Sequence, residues 1–338
     1  MIYFALFICF LYGFMVLYLS KGIDRLKETI LEQVEPVTSF SILVPFRNEA
    51  SNLPGLLASI VALDYAPDQF ELILINDDST DTSESVIHQF KAEYQDLRIV
   101  LIDSNKSSAS PKKDAIIKGV QTASFDWIVT TDADCIVPKS WLRAFDAIIR
   151  ERSPKMVVAP VSYTEKTGFL HKFQLLDFLS LQGITMGSFG MQDKKLGHPF
   201  LCNGANLCYQ KKSFWEVNGF EGNEHIASGD DVFLLEKMIQ KFPYKIHFLK
   251  SKVAIVHTAS KDTLGALVQQ RVRWAAKTTA YDSFYAKLIG VLVFANSLNM
   301  LIILSFGIIG QLPWLHVGFL FLIKFNVDFV LLYKTSQF

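Results

Sequence analysis

The stretch Phe125-Asp-Trp-Ile-Val-Thr-Thr-Asp-Ala-Asp134 decides the fold. Its middle part, residues 127–131, consists of aromatic, β-branched and aliphatic residues, which predicts a buried strand. Two carboxylates, Asp132 and Asp134, follow this strand directly. In open α/β sheets ligands bind at the carboxyl ends of the strands, and carboxylate oxygens at this spacing suit a divalent cation that phosphates also hold. The pair alone is a weak signal, because aspartates at such positions can also merely cap the turn after a strand.

Around this stretch, residues 40–135 alternate short apolar runs with amphipathic segments. This alternation predicts a mainly parallel sheet flanked by helices, with nucleotide-like ligands at the strand ends. The predicted strands are 40–44, 71–75, 98–102, 127–131, 156–159 and 206–210. The predicted helices of the soluble part are 51–63, 81–94, 112–122, 169–186, 233–239 with Asp231 at its start, and 264–285.

The composition points to a membrane protein. Half of the 338 residues are hydrophobic and the formal net charge is zero, so a nucleic-acid partner is not expected. Residues 2–20 and 288–311 carry no charge, and about 20 apolar residues span a bilayer as a helix. A third apolar stretch, 312–333, is interrupted by Lys324 and Asp328, which lie on one helical face and form either an internal pair or two side chains that extend to the membrane surface.

The predicted organisation is a transmembrane anchor at 1–20, a cytoplasmic domain at 36–285 and two transmembrane helices at 287–334. The first stretch lacks both a basic segment before it and a small-residue cleavage site after it, which favours an anchor over a signal peptide. Three basic residues follow it directly, and the positive-inside rule places the next segment in the cytoplasm. These residues are Lys21, Arg25 and Lys27.

Seven short motifs follow one another along the chain. They are Val44-Pro-Phe-Arg-Asn-Glu49, Ile75-Asn-Asp-Asp-Ser-Thr-Asp81, Lys112 with Ala115 and Gly119, Asp132-Ala-Asp134, Asn203-Gly-Ala-Asn206, Ser228-Gly-Asp-Asp231 and Gln270-Arg-Val-Arg-Trp274. Together they resemble the family 2 glycosyltransferases of the GT-A fold, in particular the membrane-anchored branch that carries the Q-x-x-R-W motif. That branch includes cellulose, hyaluronan and poly-N-acetylglucosamine synthases and ceramide glucosyltransferase. The resemblance covers roughly residues 38–280 and implies a GT-A α/β fold between one N-terminal and two C-terminal transmembrane helices.

The resemblance implies a nucleotide-sugar donor, expected to be UDP-linked, bound with Mg²⁺ or Mn²⁺. Asp132 and Asp134 would hold the metal against the diphosphate, and Asp132 would also contact the ribose. Four positions depart from the family pattern: Asn76 stands at its first acidic position, Pro111 and Ile117 replace its glycine and its asparagine, and Asp230 stands where glutamate is commoner. The implied donor-binding residues are Pro45, Glu49, Asp77, Lys112, Asp132, Gln270 and Arg273.

On the acceptor side, the resemblance implies that Asp231 is the general base of an inverting transfer. Asp231 also begins a predicted helix, where a carboxylate stabilises the helix by about 0.3–1 kcal/mol without any catalysis. Trp274 would stack on an acceptor sugar or, alternatively, anchor the chain at the membrane interface. The implied acceptor-binding residues are Trp274, Asn203, Gly204 and Asp230.

The expected acceptor is a membrane-associated lipid or saccharide, and the expected location is the cytoplasmic face of a bacterial inner membrane. One helix before the domain and two after it give little wall for a polymer channel, which favours single or limited transfer. The alternatives are a processive polysaccharide synthase subunit whose channel a membrane partner or a second copy completes, and an inactive membrane scaffold that retains the transferase fold.

Overall fold

The computed structural model describes residues 2–31, 34–105, 108–192, 198–226, 228–278 and 283–338. The strands are β1 (Phe40–Phe46), β2 (Phe70–Asn76), β3 (Arg98–Asp103), β4 (Trp127–Thr130), β5 (Cys135–Ile136), β6 (Met156–Val158), β7 (Val161–Tyr163), β8 (Leu207–Gln210), β9 (Ile246–Phe248) and β10 (Val256–Thr258). The helices are α1 (Ile2–Arg25), α2 (Leu53–Val61), α3 (Ser83–Glu93), α4 (Pro111–Thr122), α5 (Trp141–Arg152), α6 (Phe169–Gly190), α7 (Lys211–Glu216), α8 (Asp230–Lys241), α9 (Leu264–Thr278), α10 (Phe284–Ile308) and α11 (Trp314–Gln337).

A seven-stranded sheet in the order β3-β2-β1-β4-β8-β6-β9 forms the centre of the soluble unit. Strands β1 to β4 are parallel to one another, whereas β8 runs antiparallel to both of its neighbours, β4 and β6. Every residue of β2 and all of β1 except Pro45 are buried, as expected for parallel strands with both faces covered. The prediction of a mainly parallel α/β sheet is therefore confirmed.

A second sheet of three short strands, in the order β5-β10-β7, extends this scaffold. Strand β10 pairs antiparallel with β5, and Thr258 lies opposite Cys135 in this register. It also pairs in parallel with β7. The pairing brings the end of β10 next to the turn that carries Asp134, a proximity that the order of residues along the chain does not reveal.

The chain divides into two compact units. The soluble unit comprises Lys27–Leu175 and Leu201–Lys277, and the other unit comprises Met1–Leu26, Leu176–Phe200 and Thr278–Phe338. The latter contains three helices that are long and apolar enough to cross a membrane, α1, α10 and α11, so the predicted number and order of such helices are confirmed. It also contains the second half of α6, which the sequence interpretation assigns to the soluble domain.

Small residues and polar contacts pack this second unit. A Cβ atom added at Gly187 would lie only 2.5 Å from the carbonyl oxygen of Leu19, so glycine lets α1 and α6 approach closely. Between α1 and α11, the Tyr12 hydroxyl donates to Asp328 Oδ1 at 2.7 Å, and Lys324 pairs with the same carboxylate. The structure thus shows Lys324 and Asp328 as a pair, the first of the two interpretations that the sequence leaves open.

The predicted helix at 264–285 is too long. Helix α9 ends at Thr278, residues 279–282 lie outside the described part, and α10 begins at Phe284, four residues before the predicted start of the apolar span. Ser283 sets this start, because its side chain accepts a hydrogen bond from the Ala286 amide.

Asn206 ties the sheet to the segments around it. Its Oδ1 accepts from Trp141 Nε1 at 2.8 Å, and its Nδ2 donates to the carbonyls of Pro160 and Ala254 at 2.7 and 2.8 Å. The side chain is fully buried. It therefore joins α5, β8 and the segments that precede β7 and β10 through one amide group.

We expect Asn206→Ala to destabilise the protein by about 2–4 kcal/mol, because it leaves a buried indole N–H and two carbonyls without their partner. Thermal unfolding of the detergent-purified chain measures this loss. Gln95→Ala removes an exposed amide and should change stability by less than about 0.5 kcal/mol. Equal melting temperatures for the two variants would contradict the structural role of Asn206.

Candidate active site

The predicted donor-side residues gather at one edge of the central sheet. Parallel pairing of β1 with β2 and of β1 with β4 brings the carboxyl ends of these strands together. Asp77 follows β2, and Asp132 follows β4. Pro45 lies near the end of β1 and is half-buried. The edge therefore presents acidic side chains where ligands of open α/β sheets bind.

Lys112 connects Asp132 with a second carboxylate, that of Asp230 at the start of α8. Its Nζ lies 2.8 Å from Asp132 Oδ1 and 3.5 Å from Asp230 Oδ2. Burial opposes the charged form, yet the neighbouring carboxylates of Asp132 and Asp230 raise the pKa of Lys112 well above its ordinary value. The ammonium thus stays positive between the residue expected at the metal and a residue expected at the acceptor.

Asp134 lies in the turn after β4, close to the charge of Asp132. Burial, followed by the charge of Asp132, raises its pKa, whereas Lys261 and a hydrogen bond with Thr258 act in the opposite direction. A cation between two close carboxylates offsets the repulsion between them. Hard oxygen donors of this kind fit Mg²⁺ or Mn²⁺.

Glu49 belongs to the same acidic neighbourhood. Burial raises its pKa, with further contributions in the same direction from Asp134 and Asp132, while the hydrogen bond from Asn52 Nδ2 at 2.6 Å opposes them. Within the described residues, no group of three or more histidine, cysteine, aspartate or glutamate side chains is arranged to hold a metal ion. A cation at Asp132 and Asp134 would therefore take further oxygen ligands from a bound diphosphate or from water.

Asp231 lies at the N-terminus of α8 and faces the Asn203–Asn206 turn. Its Oδ2 accepts from the Gly204 amide at 3.2 Å, and its Oδ1 accepts from the Val232 amide at 2.8 Å. The Gly204 carbonyl in turn accepts from the Thr130 hydroxyl at 2.7 Å, at the end of β4. The turn that carries the predicted acceptor residues is thus fixed between β4 and the predicted base.

Gly204 allows this close approach. A Cβ atom at this position would lie 3.1 Å from Asp230 Oδ2 and 3.6 Å from Lys112 Nζ. The preceding residue, Asn203, stabilises the turn itself, because its Oδ1 accepts from the Ala205 amide at 3.0 Å. Asn203 therefore has a structural role here, and its predicted contact with an acceptor stays a prediction.

Asp77 is positioned by its neighbours after β2. Its carboxylate accepts from the Ser104 hydroxyl at 3.3 Å and lies 3.9 Å from the Arg47 guanidinium, and its side chain is 13% exposed. Arg47, which follows β1, thereby approaches the residue that follows β2. Asp77 itself is placed at the strand end, as expected.

The Gln270-to-Trp274 motif lies on α9. Arg273 is exposed, and the Arg271 guanidinium stacks on the Trp274 ring at 4.3 Å from its centroid. In the described part of the chain, the hydrogen bonds and ion pairs that build the carboxylate cluster involve neither Gln270 nor Arg273. The donor and acceptor roles of Gln270, Arg273 and Trp274 stay predictions.

Two residues near the carboxylate cluster, Thr258 and Lys261, belong to none of the sequence motifs. Thr258 reaches Asp134 only through the pairing of β10 with β5, and Lys261 follows three residues later. The backbone of Lys261 is held by the buried side chain of Gln174, whose Oε1 accepts from the Lys261 amide at 2.9 Å and whose Nε2 donates to its carbonyl at 2.8 Å. The pairing of distant segments, rather than any local motif, places this lysine near Asp134 and Glu49.

Comparison with known families decides the classification. Residues 41–217, just over half of the chain, match the Glycosyl transferase family 2 domain. The chain belongs to glycosyl transferase family 2. The matched range contains the donor-side motifs from Glu49 to Asp134 and the turn at Gly204, so the resemblance inferred from the motifs is confirmed.

Curated relatives from staphylococci are similar to the chain. The poly-beta-1,6-N-acetyl-D-glucosamine synthase of Staphylococcus epidermidis is 26% identical over 262 residues, which cover 76% of this chain and 58% of the relative. The enzyme of the same name from Staphylococcus aureus (strain COL) is 26% identical over 248 residues, which cover 72% of this chain and 55% of the relative. The chain therefore spans little more than half the length of these relatives.

Solved structures support the fold. The mannosyltransferase PcManGT from Pyrobaculum calidifontis, in complex with GDP-Man and Mn²⁺, matches with a TM-score of 0.63 at 16% identity and covers 98% of this chain and 96% of that chain. Staphylococcus aureus TarS 1-349 matches with a TM-score of 0.51 at 18% identity, over 74% of this chain and 68% of that chain. The expected GT-A type of α/β fold is thereby confirmed.

We expect Lys112→Met to weaken the binding of UDP in the presence of Mn²⁺ by about tenfold, which corresponds to about 1.4 kcal/mol. The substitution removes the cation between Asp132 and Asp230 and leaves their repulsion uncompensated. Isothermal titration of the purified chain measures the affinity. Lys118→Met, on the same helix, is the matched control and should bind UDP like the unmodified chain; equal affinities for all three proteins would contradict the role of Lys112.

Proposed function

We propose that this protein transfers an N-acetylhexosamine or hexose unit from a UDP-linked donor to a membrane-associated lipid or saccharide acceptor, with inversion at the anomeric carbon. The observation that carries this proposal is the Lys112 bridge. It joins Asp132, at the proposed metal and diphosphate position, to Asp230, which directly precedes the proposed base Asp231. Donor and acceptor chemistry would therefore meet within one cluster of side chains.

On the donor side, Asp132 and Asp134 would hold Mg²⁺ or Mn²⁺. When bound, the cation supplies positive charge that stabilises the departing nucleoside diphosphate. Lys112 and Lys261 add positive charge to the same region, and Asp77 would contact the base of the nucleotide. This arrangement suits a leaving group on which negative charge develops as the glycosidic bond breaks.

On the acceptor side, Asp231 would take the proton of the acceptor hydroxyl as that oxygen attacks the anomeric carbon. The bond between that carbon and the diphosphate oxygen breaks as the new bond forms. The Gly204 and Val232 amides hold the Asp231 carboxylate in place. If Asp231 instead only stabilises the start of α8, its substitution should lower the stability of the protein without a specific loss of turnover.

The relatives favour an N-acetylglucosamine donor. The curated matches are named as synthases of a β-1,6-linked N-acetylglucosamine polymer. Because the chain spans little more than half of their length, this donor remains part of the proposal. The three basic residues that follow the first span support a cytoplasmic location of the soluble unit. We also propose a bacterial inner membrane, because the curated relatives are bacterial proteins.

The first test is release of nucleoside diphosphate by the detergent-purified protein with a panel of nucleotide sugars and Mn²⁺ or Mg²⁺. We expect turnover with one UDP-sugar and a loss of about 10²–10⁴-fold in Asp231→Asn, because the general base is removed while the shape of the side chain is kept. Asp134→Ala should abolish the metal dependence together with turnover. Asp126→Asn, at the aspartate that directly precedes β4, is the matched control and should keep normal turnover.

Unchanged turnover in Asp231→Asn would show that Asp231 acts only at the helix end. Binding of UDP without turnover would indicate that an acceptor is missing from the assay. A chain that neither binds UDP nor turns over any donor would be the inactive scaffold.

A second candidate function is processive synthesis of a polysaccharide, because the curated relatives are polymer synthases. Incubation with UDP-N-acetylglucosamine and separation of the products by size distinguish the two. We expect short products that carry one or a few added sugars. Products of high molecular mass, formed while short ones stay rare, would favour the processive alternative.

A further inference from the structure

Lys113 is a buried lysine whose ammonium group is held by backbone carbonyls. The residue is 1% exposed, although it lies in the first turn of α4 beside the partly exposed Lys112. Its Nζ donates to the carbonyl oxygens of Asn223 and Ile226 at 2.6 and 3.0 Å. Burial of a charged group is costly unless hydrogen bonds compensate for it, so this position has a specific structural requirement for an amine.

Aromatic rings complete the surroundings of this ammonium group. Nζ lies 4.8 Å from the centroid of the Phe233 ring, on α8, and 6.0 Å from that of Phe220. Contacts of a cation with the face of an aromatic ring are favourable at these distances. Burial lowers the pKa of Lys113, while the charges of Asp230 and Glu224 oppose this effect. Lys113 therefore touches both the segment before α8 and the first turn of α8 itself.

A second lysine holds the other end of the same segment. Lys237, on α8, donates to the carbonyl oxygens of Gly219 and Glu221 at 2.9 and 2.6 Å. Residues 219–226 are thus held by one ammonium group from α8 and by another from α4. Of these two lysines, Lys113 is the one that connects the segment to α4, the helix that also carries Lys112.

We propose that Lys113 is a positioning residue that fixes the placement of Asp230 and Asp231 relative to the donor-binding face. The inference rests on the proposed function. Lys112 and Lys113 are consecutive, so both act from the first turn of α4. Lys112 contacts Asp230 directly, and Lys113 holds the segment that precedes Asp230 and Asp231. Lys237 belongs to α8, so its contacts move with that helix and do not set its distance from α4.

The test compares Lys113→Met, Lys113→Arg and Lys237→Met in the full, detergent-purified chain. We expect Lys113→Met to lower kcat by about thirtyfold, because the proposed general base Asp231 is displaced. The Kd of UDP with Mn²⁺ should change by less than about twofold, because the donor-binding residues keep their places. Lys113→Arg should recover part of the rate. Lys237→Met should stay within about threefold of the unmodified chain, since its contacts lie at the far end of the segment.

Hydrogen exchange of the backbone amides gives a readout that does not depend on activity. We expect the amides of residues 228–233 to exchange about tenfold faster in Lys113→Met and to be unchanged in Lys237→Met. If Lys113→Met does not yield folded protein, Lys113→Gln replaces it in the same comparison, because glutamine keeps a hydrogen-bond donor on a shorter side chain.

Equal losses of kcat in Lys113→Met and Lys237→Met, or unchanged exchange at residues 228–233, would overturn the inference. Failure of the unmodified chain to bind UDP and to turn over any donor would instead contradict the proposed function. In that case the exchange measurement alone decides whether Lys113 holds the segment against α4.

Discussion

An ammonium group between two aspartates is the interaction on which the candidate site depends. The sheet brings several carboxylates to one edge, where they repel one another unless cations lie between them. Lys112 supplies such a cation from the first turn of α4. A positive charge at a helix N-terminus costs about 0.3–1 kcal/mol in the field of the helix. Helix stability therefore does not explain the two lysines at this position. The contacts of Lys112 with Asp132 and Asp230, and those of Lys113 with the segment before α8, do explain them.

The acceptor side is fixed by hydrogen bonds between side chains and the backbone of one turn. The Asn203–Asn206 turn is held by the Thr130 hydroxyl at one point and by the Asp231 carboxylate at another. Because β8 begins immediately after this turn and runs antiparallel to β4, the turn lies beside the end of β4. The same strand thus positions the proposed metal carboxylates and the proposed acceptor turn, which adds a backbone connection to the one that Lys112 makes between the two halves of the site.

The sequence predicts the local elements and the strand-end residues well, because periodicity and strand composition are local properties. Asp77 and Asp132 lie where the strand pattern places them. The pairing of β10 with β5 is not a local property, so the contact of Thr258 with Asp134 could not be predicted. Nor could the sequence distinguish two consecutive lysines, of which Lys112 bridges carboxylates and Lys113 is buried against carbonyls.

Asn76, a departure from the family pattern, has a physical explanation in this chain. Its Nδ2 donates to Glu84 Oε1 at 2.6 Å and to Asp103 Oδ1 at 3.2 Å, while its Oδ1 accepts from the Ser79 amide at 2.9 Å. An aspartate here would keep the last bond but would face two carboxylates with no hydrogen to donate, and like charges at this distance disfavour ionisation. Asparagine therefore preserves the turn after β2 among neighbouring carboxylates. Asp77 is the residue of this turn for which we propose the contact with the nucleotide base.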